Sequence, residues 1–167
     1  MWYCCWDHDL VLEKNKQNIN KLTHTTMRKR ELVNTIMTKN MHVVQLEDKL
    51  TDVRDLIRKH GFRHVPVVYG KQLVGIISKT DLNRLTFSSL FAGQDEADEA
   101  VFDMLTISQV MSHKPRVVKS NETIRDVAEI LSNEEFHALP VVDEKDESKL
   151  VGIVTTTDVI RYMLDQY

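Results

Sequence analysis

Two short stretches of the chain hold residue types that could do chemistry. Ser78-Lys79-Thr80-Asp81 follows the apolar run Gly75-Ile76-Ile77, and Thr155-Thr156-Thr157-Asp158 follows Gly152-Ile153-Val154. If each run is a strand and each tetrapeptide opens a helix, the hydroxyls lie beside the first free N–H groups of that helix, which together make an anion-binding mouth. A carboxylate accepting two hydrogen bonds, Asp81 or Asp158, suits the paired hydroxyls of a ribose. Ser78 with Thr80 and Thr155 with Thr157 complete a grip fit for a sugar phosphate. The same residues are also ordinary helix N-capping chemistry. Residue types alone leave both readings open.

The elements that must position these residues come from a repeat, which is the first feature to look for in such a chain. Shifted by 74 residues, Met37 falls on Met111, Val43-Val44 on Val117-Val118, Asp52-Val53 on Asp126-Val127, Phe62 on Phe136 and Pro66-Val67-Val68 on Pro140-Val141-Val142. Beyond the prolines the shift is 77, so Leu73-Val74-Gly75-Ile76 matches Leu150-Val151-Gly152-Ile153, and Arg84 matches Arg161. The change places extra polar residues of "DEKDESK" at a hairpin tip, where added length is tolerated. Leu50, Val53, Leu56 and Ile57 recur at helical spacing, with Asp48 the expected N-cap and Gly61 the stop; Ile124, Val127, Ile130 and Leu131 repeat the pattern behind Asn121. Two strand-length apolar runs and a final helix follow, so each unit reads β-α-β-β-α. The fold class is therefore α/β (α+β), with two such units packed in pseudo-twofold symmetry.

One unit of about 55 residues is marginal for burying its own apolar face, and a tandem pair resolves this by packing sheet to sheet. The expected division is repeat 1 over 31–88, an acidic helical linker over 89–106 and repeat 2 over 107–167. In the linker Val101, Met104, Leu105 and Ile107 predict a helix entering the second unit. Residues 1–30 read as a poorly ordered extension, with a weak helix over Leu10 to Leu22 as the competing reading. Gly75, ending a strand, marks a place where another backbone or a ligand must approach without meeting a Cβ.

Composition narrows the function. Over 167 residues, 22 basic and 25 acidic side chains leave a formal charge of -3, no field that would gather nucleic acid or an anionic membrane. The apolar runs are strand-sized and far short of the roughly 20 residues a membrane helix requires. The N-terminus lacks a secretory signal's apolar stretch. A cytoplasmic protein is expected. Cys4 and Cys5 are adjacent, which fits neither a disulfide framework nor zinc-ligand spacing. The seven histidines form no His-Glu-x-x-His, no Gly-x-Ser-x-Gly is present, and the five glycines make no phosphate loop. Asp52 with Asp126 and Asp81 with Asp158 are repeat copies, so each pair is symmetry rather than a catalytic dyad. No enzyme activity, metal or required cofactor is expected.

The order of these pieces resembles the cystathionine-β-synthase (CBS) domain in its tandem form, the Bateman module. The resemblance covers residues 31–167 and rests on Met37 with Val43-Val44, "HVPVV" at 64–68, "GIISKTD" at 75–81, and their copies at Met111, Val117-Val118, "ALPVV" at 138–142 and "GIVTTTD" at 152–158. It is similar to free-standing bacterial CBS pairs and to the pair in inosine monophosphate dehydrogenase. The resemblance implies that Ser78, Thr80 and Asp81, and Thr155, Thr157 and Asp158, meet the ribose and phosphate of an adenine nucleotide. It implies basic side chains just before each Val-Pro or Leu-Pro. Here these are Arg63 and His64 in the first copy and His137 beside Ala138 in the second, an inequality that assigns the charged phosphate tail to the pocket of Arg63. Val43, Val65, Val117 and Leu139 become apolar walls for adenine, though alone they are simply core strand residues.

Two functions stand side by side. The first is a regulatory sensor of an adenosine-containing ligand (AMP, ADP, ATP or S-adenosylmethionine) that acts on a separate partner protein as a homodimer, the expected contact being apolar residues of the helices after "TD". The second is a dimerisation scaffold whose clefts no longer bind. Ala138 beside His137 favours the scaffold at the second site, while Arg63 and Ser78 oppose it at the first.

Overall fold

A computed structural model describes residues 30–86 and 95–167, with the side chains of residues 95–97 left aside. The N-terminal extension, the helix considered over Leu10 to Leu22, and both cysteines lie outside the described residues. In the first repeat β1 (Val44–Gln45) leads to α1 (Leu50–His60), the hairpin β2 (His64–Tyr69) and β3 (Gln72–Ser78), and α2 (Lys79–Asn83). Then α3 (Asp95–Met104), α4 (Ile107–Val110) and β4 (Ser112–His113) lead into β5 (Val118–Lys119), α5 (Ile124–Asn133), β6 (Ala138–Val142), β7 (Leu150–Thr155) and α6 (Thr156–Leu164). The β-α-β-β-α unit is thus present twice, and β1 and β5 pair in parallel with β2 and β6. The antiparallel hairpins share a register irregularity at equivalent places, between Val67 and Val68 and between Val141 and Val142. Among the described residues no helix is long and apolar enough to cross a membrane.

Local sequence explains most element limits. Leu50, Val53 and Ile57 fall on one buried face of α1, and Gly61 ends it at φ +69°, the left-handed conformation a glycine adopts without cost. The expected caps lie elsewhere. Asp48 closes a turn by accepting Gln45 N–H at 2.7 Å, so Lys49 caps α1 without a side-chain bond. In the second copy Thr123, not Asn121, is the N-cap, and its hydroxyl and the carboxylate of Asp126 form a reciprocal capping box.

The repeats are joined by an exchange of their leading segments. Residues before β1 leave their own unit: Val33 N–H donates to Glu122 O at 2.8 Å, Ile124 N–H donates to Glu31 O at 2.9 Å, and Thr38 exchanges bonds of 2.9 and 3.1 Å with Ile153 of β7. Val33 is fully buried in the second core, with Ile36 and Met37 packed against it. Reciprocally, β4 pairs with β3 of the first repeat through Gly75–His113 and Ile76–Ser112, completing a sheet of order β1-β2-β3-β4. Phe102, Ile107 and Met111 belong to the first core. The linker helix therefore covers the first unit rather than entering the second, and Met104, placed on its apolar face by spacing, is 82% exposed.

This exchange accounts for the glycines. A Cβ on Gly75 would run into Met111 Sδ and stand 3.1 Å from the Ser112 carbonyl; on Gly152 it would stand 2.5 Å from Met37 Sδ and 3.2 Å from the Thr38 carbonyl. The close approach is that of the other copy's leading strand. The hairpin tip of the second repeat also reaches across, where Leu73 N–H donates to Ser148 O at 2.9 Å, and it is tied to its own repeat by Glu147, which pairs with Lys119 of β5 at 2.8 Å.

Candidate functional site

Both tetrapeptides sit where a strand turns into a helix, and both form the same closed ring of hydrogen bonds. At the start of α2 the Ser78 N–H and hydroxyl donate to Asp81 Oδ2 at 3.0 and 2.6 Å, while Asp81 N–H donates to Ser78 Oγ at 3.1 Å. At the start of α6 Thr155 N–H and Oγ1 donate to Asp158 Oδ2 at 2.8 and 2.7 Å, and Asp158 N–H returns a bond of 3.3 Å to Thr155 Oγ1. The capping reading is therefore realised at both. It does not exhaust the carboxylates, because all four bonds that they accept end on Oδ2. Each half-buried carboxylate is held through Oδ2; Asp81 Oδ1 lies 3.9 Å from Arg84 Nη1.

Asp158 stands on the wall of an open cleft of about 700 Å³. Its floor and rim come from both repeats: Thr155 and Thr157 from the second, Asn40 from the exchanged segment, and Arg63, His64 and Pro66 from the first. Arg63 and His64, grouped on the sequence with Asp81, thus line the cleft that holds Asp158, opposite His137. Burial holds the His64 imidazole below the usual histidine range, reinforced by the neighbouring His137 and Arg63 and opposed by the Asp81 carboxylate. His64 therefore lies within electrostatic reach of Asp81 while lining the cleft that holds Asp158.

The apolar candidates divide. Val65 and Leu139 are wholly buried in the first and second core, and so serve the sheets rather than a cleft wall. Val117 is half-buried and Val43 exposed, each one residue before a buried strand valine. Lys79, the variable residue of the first tetrapeptide, faces a separate cavity of about 570 Å³ with Arg54, Arg58 and Phe102, while Ser78 and Thr80 stay at the helix start. One group was not foreseen. His42 stacks on His60 with ring centroids 4.6 Å apart, and His60 stacks on Phe62 at 5.1 Å, so an aromatic ledge borders the cleft at His42 and Phe62. These residues lie 18 and 2 positions apart in the chain, and no local period connects them. Among the described residues no group of three or more histidine, cysteine or acidic side chains is placed to hold a metal.

The CBS domain family model matches residues 33–87 and 107–165. Protein MJ1225 of Methanocaldococcus jannaschii is 30% identical over 133 residues, 79% of this chain and 47% of that protein; the chain spans less than half the length of that relative. The crystal structure of CBSX2, a CBS-pair protein from Arabidopsis thaliana, in complex with AMP is 28% identical and superposes with a TM-score of 0.66, covering 81% of this chain and 97% of that one. The CBS domain pair of MJ0100 in complex with 5′-methylthioadenosine and S-adenosyl-L-methionine is 25% identical, with a TM-score of 0.65 over 81% of this chain and 98% of that one. With two matched segments covering most of its length and a fold shared with solved CBS pairs, this chain belongs to the CBS domain family.

Proposed function

We propose that the cleft at Asp158 binds an adenosine-containing ligand, namely AMP, ADP, ATP or S-adenosylmethionine, and that the chain is a regulatory module acting on a separate partner protein. The observation that carries this reading is the fixed carboxylate of Asp158, held through Oδ2 by Thr155 and standing in a cleft with Arg63. Ribose hydroxyls would donate to the free side of that carboxylate, and Arg63 would take phosphate oxygens through paired N–H bonds. The aromatic cluster of His42 and Phe62, whose rings are tilted by 38° to each other, offers ring faces beside these groups. The ligands held by CBSX2 and MJ0100 support the choice of chemical class.

Regulation requires the ligand to prefer one arrangement of the repeats. Its means here is that the cleft is built from both repeats and from the segment exchanged between them, so a ligand touching all three favours one relative placement. Asp81, Ser78 and Thr80 form the second, equivalent mouth. The module works as a cytoplasmic homodimer, with α6 as the contact: Ile160 is 51% and Leu164 66% exposed, and Met163 is exposed beside them. Val159, Leu82 and Leu85, which the sequence also offered to that contact, pack on the two cores instead. Calorimetric titration of the protein with each ligand, repeated on Asp158→Ala and Asp81→Ala, tests the reading. Heat from at least one ligand, lost in Asp158→Ala, is the expected result; no heat from any of them leaves the scaffold reading in its place.

A further inference from the structure

A second cavity, of about 570 Å³, lies between α1, α2 and α3 and shares no lining residue with the cleft at Asp158. Ile57, Leu82 and Phe102 give it apolar walls, and Arg54, Arg58 and Lys79 bring three cations to it. Arg54 and Arg58 stand one turn apart on α1, a spacing at which like charges repel. Arg54 is already engaged: its Nε lies 2.9 Å from Asp55 Oδ1, its Nη2 4.0 Å from Glu99 Oε1, and its guanidinium 5.3 Å from the centre of the Phe102 ring. Among the described residues, Arg58 and Lys79 have no carboxylate within 4.0 Å. The carboxylates lining the cavity, Asp98 and Glu99, both belong to α3, so the unmatched positive charge stands on the side formed by α1 and α2. The repeat supplies an internal control. At the equivalent positions of the second copy the three cations are Ala128, Ser132 and Thr156, whereas Ile57 and Leu82 remain apolar as Leu131 and Val159. The fold requires the apolar residues in both copies, and it does not require the cations.

We infer that this cavity is a separate ligand site, which takes the phosphoryl group of a small metabolite on Arg58 and Lys79. The inference does not rest on the adenosine reading of the cleft. A guanidinium holds two phosphoryl oxygens through parallel N–H bonds, and an ammonium adds a compact charge for a third. Seated against α1 and α2, the anion relieves the repulsion among the three cations. The α3 carboxylates keep it from the opposite wall, where Glu99, with a side chain 63% exposed, can accept from the ligand's hydroxyls. The cavity is of a size that suits a small molecule. An occupant meets all three helices at once, and so holds the linker helix against the first repeat.

The probe is inorganic pyrophosphate, titrated into the isotope-labelled whole chain at neutral pH and constant ionic strength while amide resonances are followed by nuclear magnetic resonance. Saturating shifts at Arg58, Lys79 and Asn83 are expected, away from the cleft at Asp158. The double variant Arg58→Gln, Lys79→Gln should weaken that saturation by at least about tenfold, as the loss of charge-assisted contacts implies. Each single variant should weaken it less, and thermal unfolding checks that all three fold. Shifts that grow in proportion to concentration without saturating would mean general screening of surface charge and would overturn the site. So would shifts confined to the cleft at Asp158, the absence of any shift, or saturation undiminished in the variants. Each of these results leaves the adenosine reading of the cleft untouched, because that reading stands on Asp158 and is tested with other ligands.

Discussion

Replacing Gly75 by alanine probes the joint on which the architecture depends. The added methyl would stand 2.9 Å from Met111 Cγ, still closer to its sulfur, and 3.1 Å from the Ser112 carbonyl. Comfortable carbon contacts begin at about 3.5 Å, so the methionine sulfur must move by more than about 1 Å and the backbone of β4 by a few tenths of an ångström. Met111 is 7% exposed and lies in the first core, and β4 is pinned by its pairing with Gly75 and Ile76, so neither has free room. Overpacking of this kind costs about 2 kcal/mol, which for a chain of this size lowers the melting temperature by about 4–8 °C. Met111→Ala alone removes a buried side chain at a cost of about 2–5 kcal/mol. In the double variant the alanine methyl occupies space vacated by the sulfur, so the two losses should fall short of their sum by about 1–2 kcal/mol. Thermal and urea unfolding of the four proteins supplies the cycle. An unchanged melting temperature in Gly75→Ala, or losses that add to within about 0.5 kcal/mol, would refute the claim that the second repeat's leading strand is seated on this glycine.

Three further outcomes follow from particular contacts. Lys49→Thr should recreate at α1 the capping box that Thr123 and Asp126 make at α5, with Asp52 in the place of Asp126, and raise stability by about 0.5–1 kcal/mol in urea unfolding; Thr123→Ala should lower it by about 1 kcal/mol. Because burial depresses His64, the unfolded chain binds the extra proton, so in the unliganded protein stability is full above about pH 6.5 and is lost as pH falls through that value towards the depressed one. The urea midpoint should drop from pH 7.5 to pH 5.5, and His64→Gln should lessen the drop. Ile160→Glu places a charge on the exposed face of α6 and should sediment as a monomer where the unaltered chain sediments as the proposed homodimer, with far-ultraviolet circular dichroism unchanged.

The repeat made the double β-α-β-β-α pattern legible, because apolar period and the Pro and Gly positions are local signals that survive duplication. What it could not carry was the exchange of leading segments. Met37 and Met111 recur at equivalent positions whether each stays with its own unit or crosses to the other, so self-similarity is blind to which Gly–Met pairing forms. The same blindness grouped Arg63 with Asp81, while the fold brings Arg63 and His64 into the cleft with Asp158. Asp48 looked like a cap because its residue type suits both a turn and a helix start, and the bond to Gln45 decided for the turn. The stacking of His42 on His60 and Phe62 depends on a loop meeting the end of α1, a contact that no periodicity encodes.

The most direct measurement of the central claim is the dissociation constant of AMP for the whole chain compared with Asp158→Asn, which keeps the side chain's shape and removes its charge. Measurable AMP binding that weakens by at least about tenfold, the worth of roughly 1.4 kcal/mol, with the variant still folded, is the predicted result. AMP bound equally well by both proteins would contradict the assignment of that carboxylate to the ribose, and with it this account of the cleft.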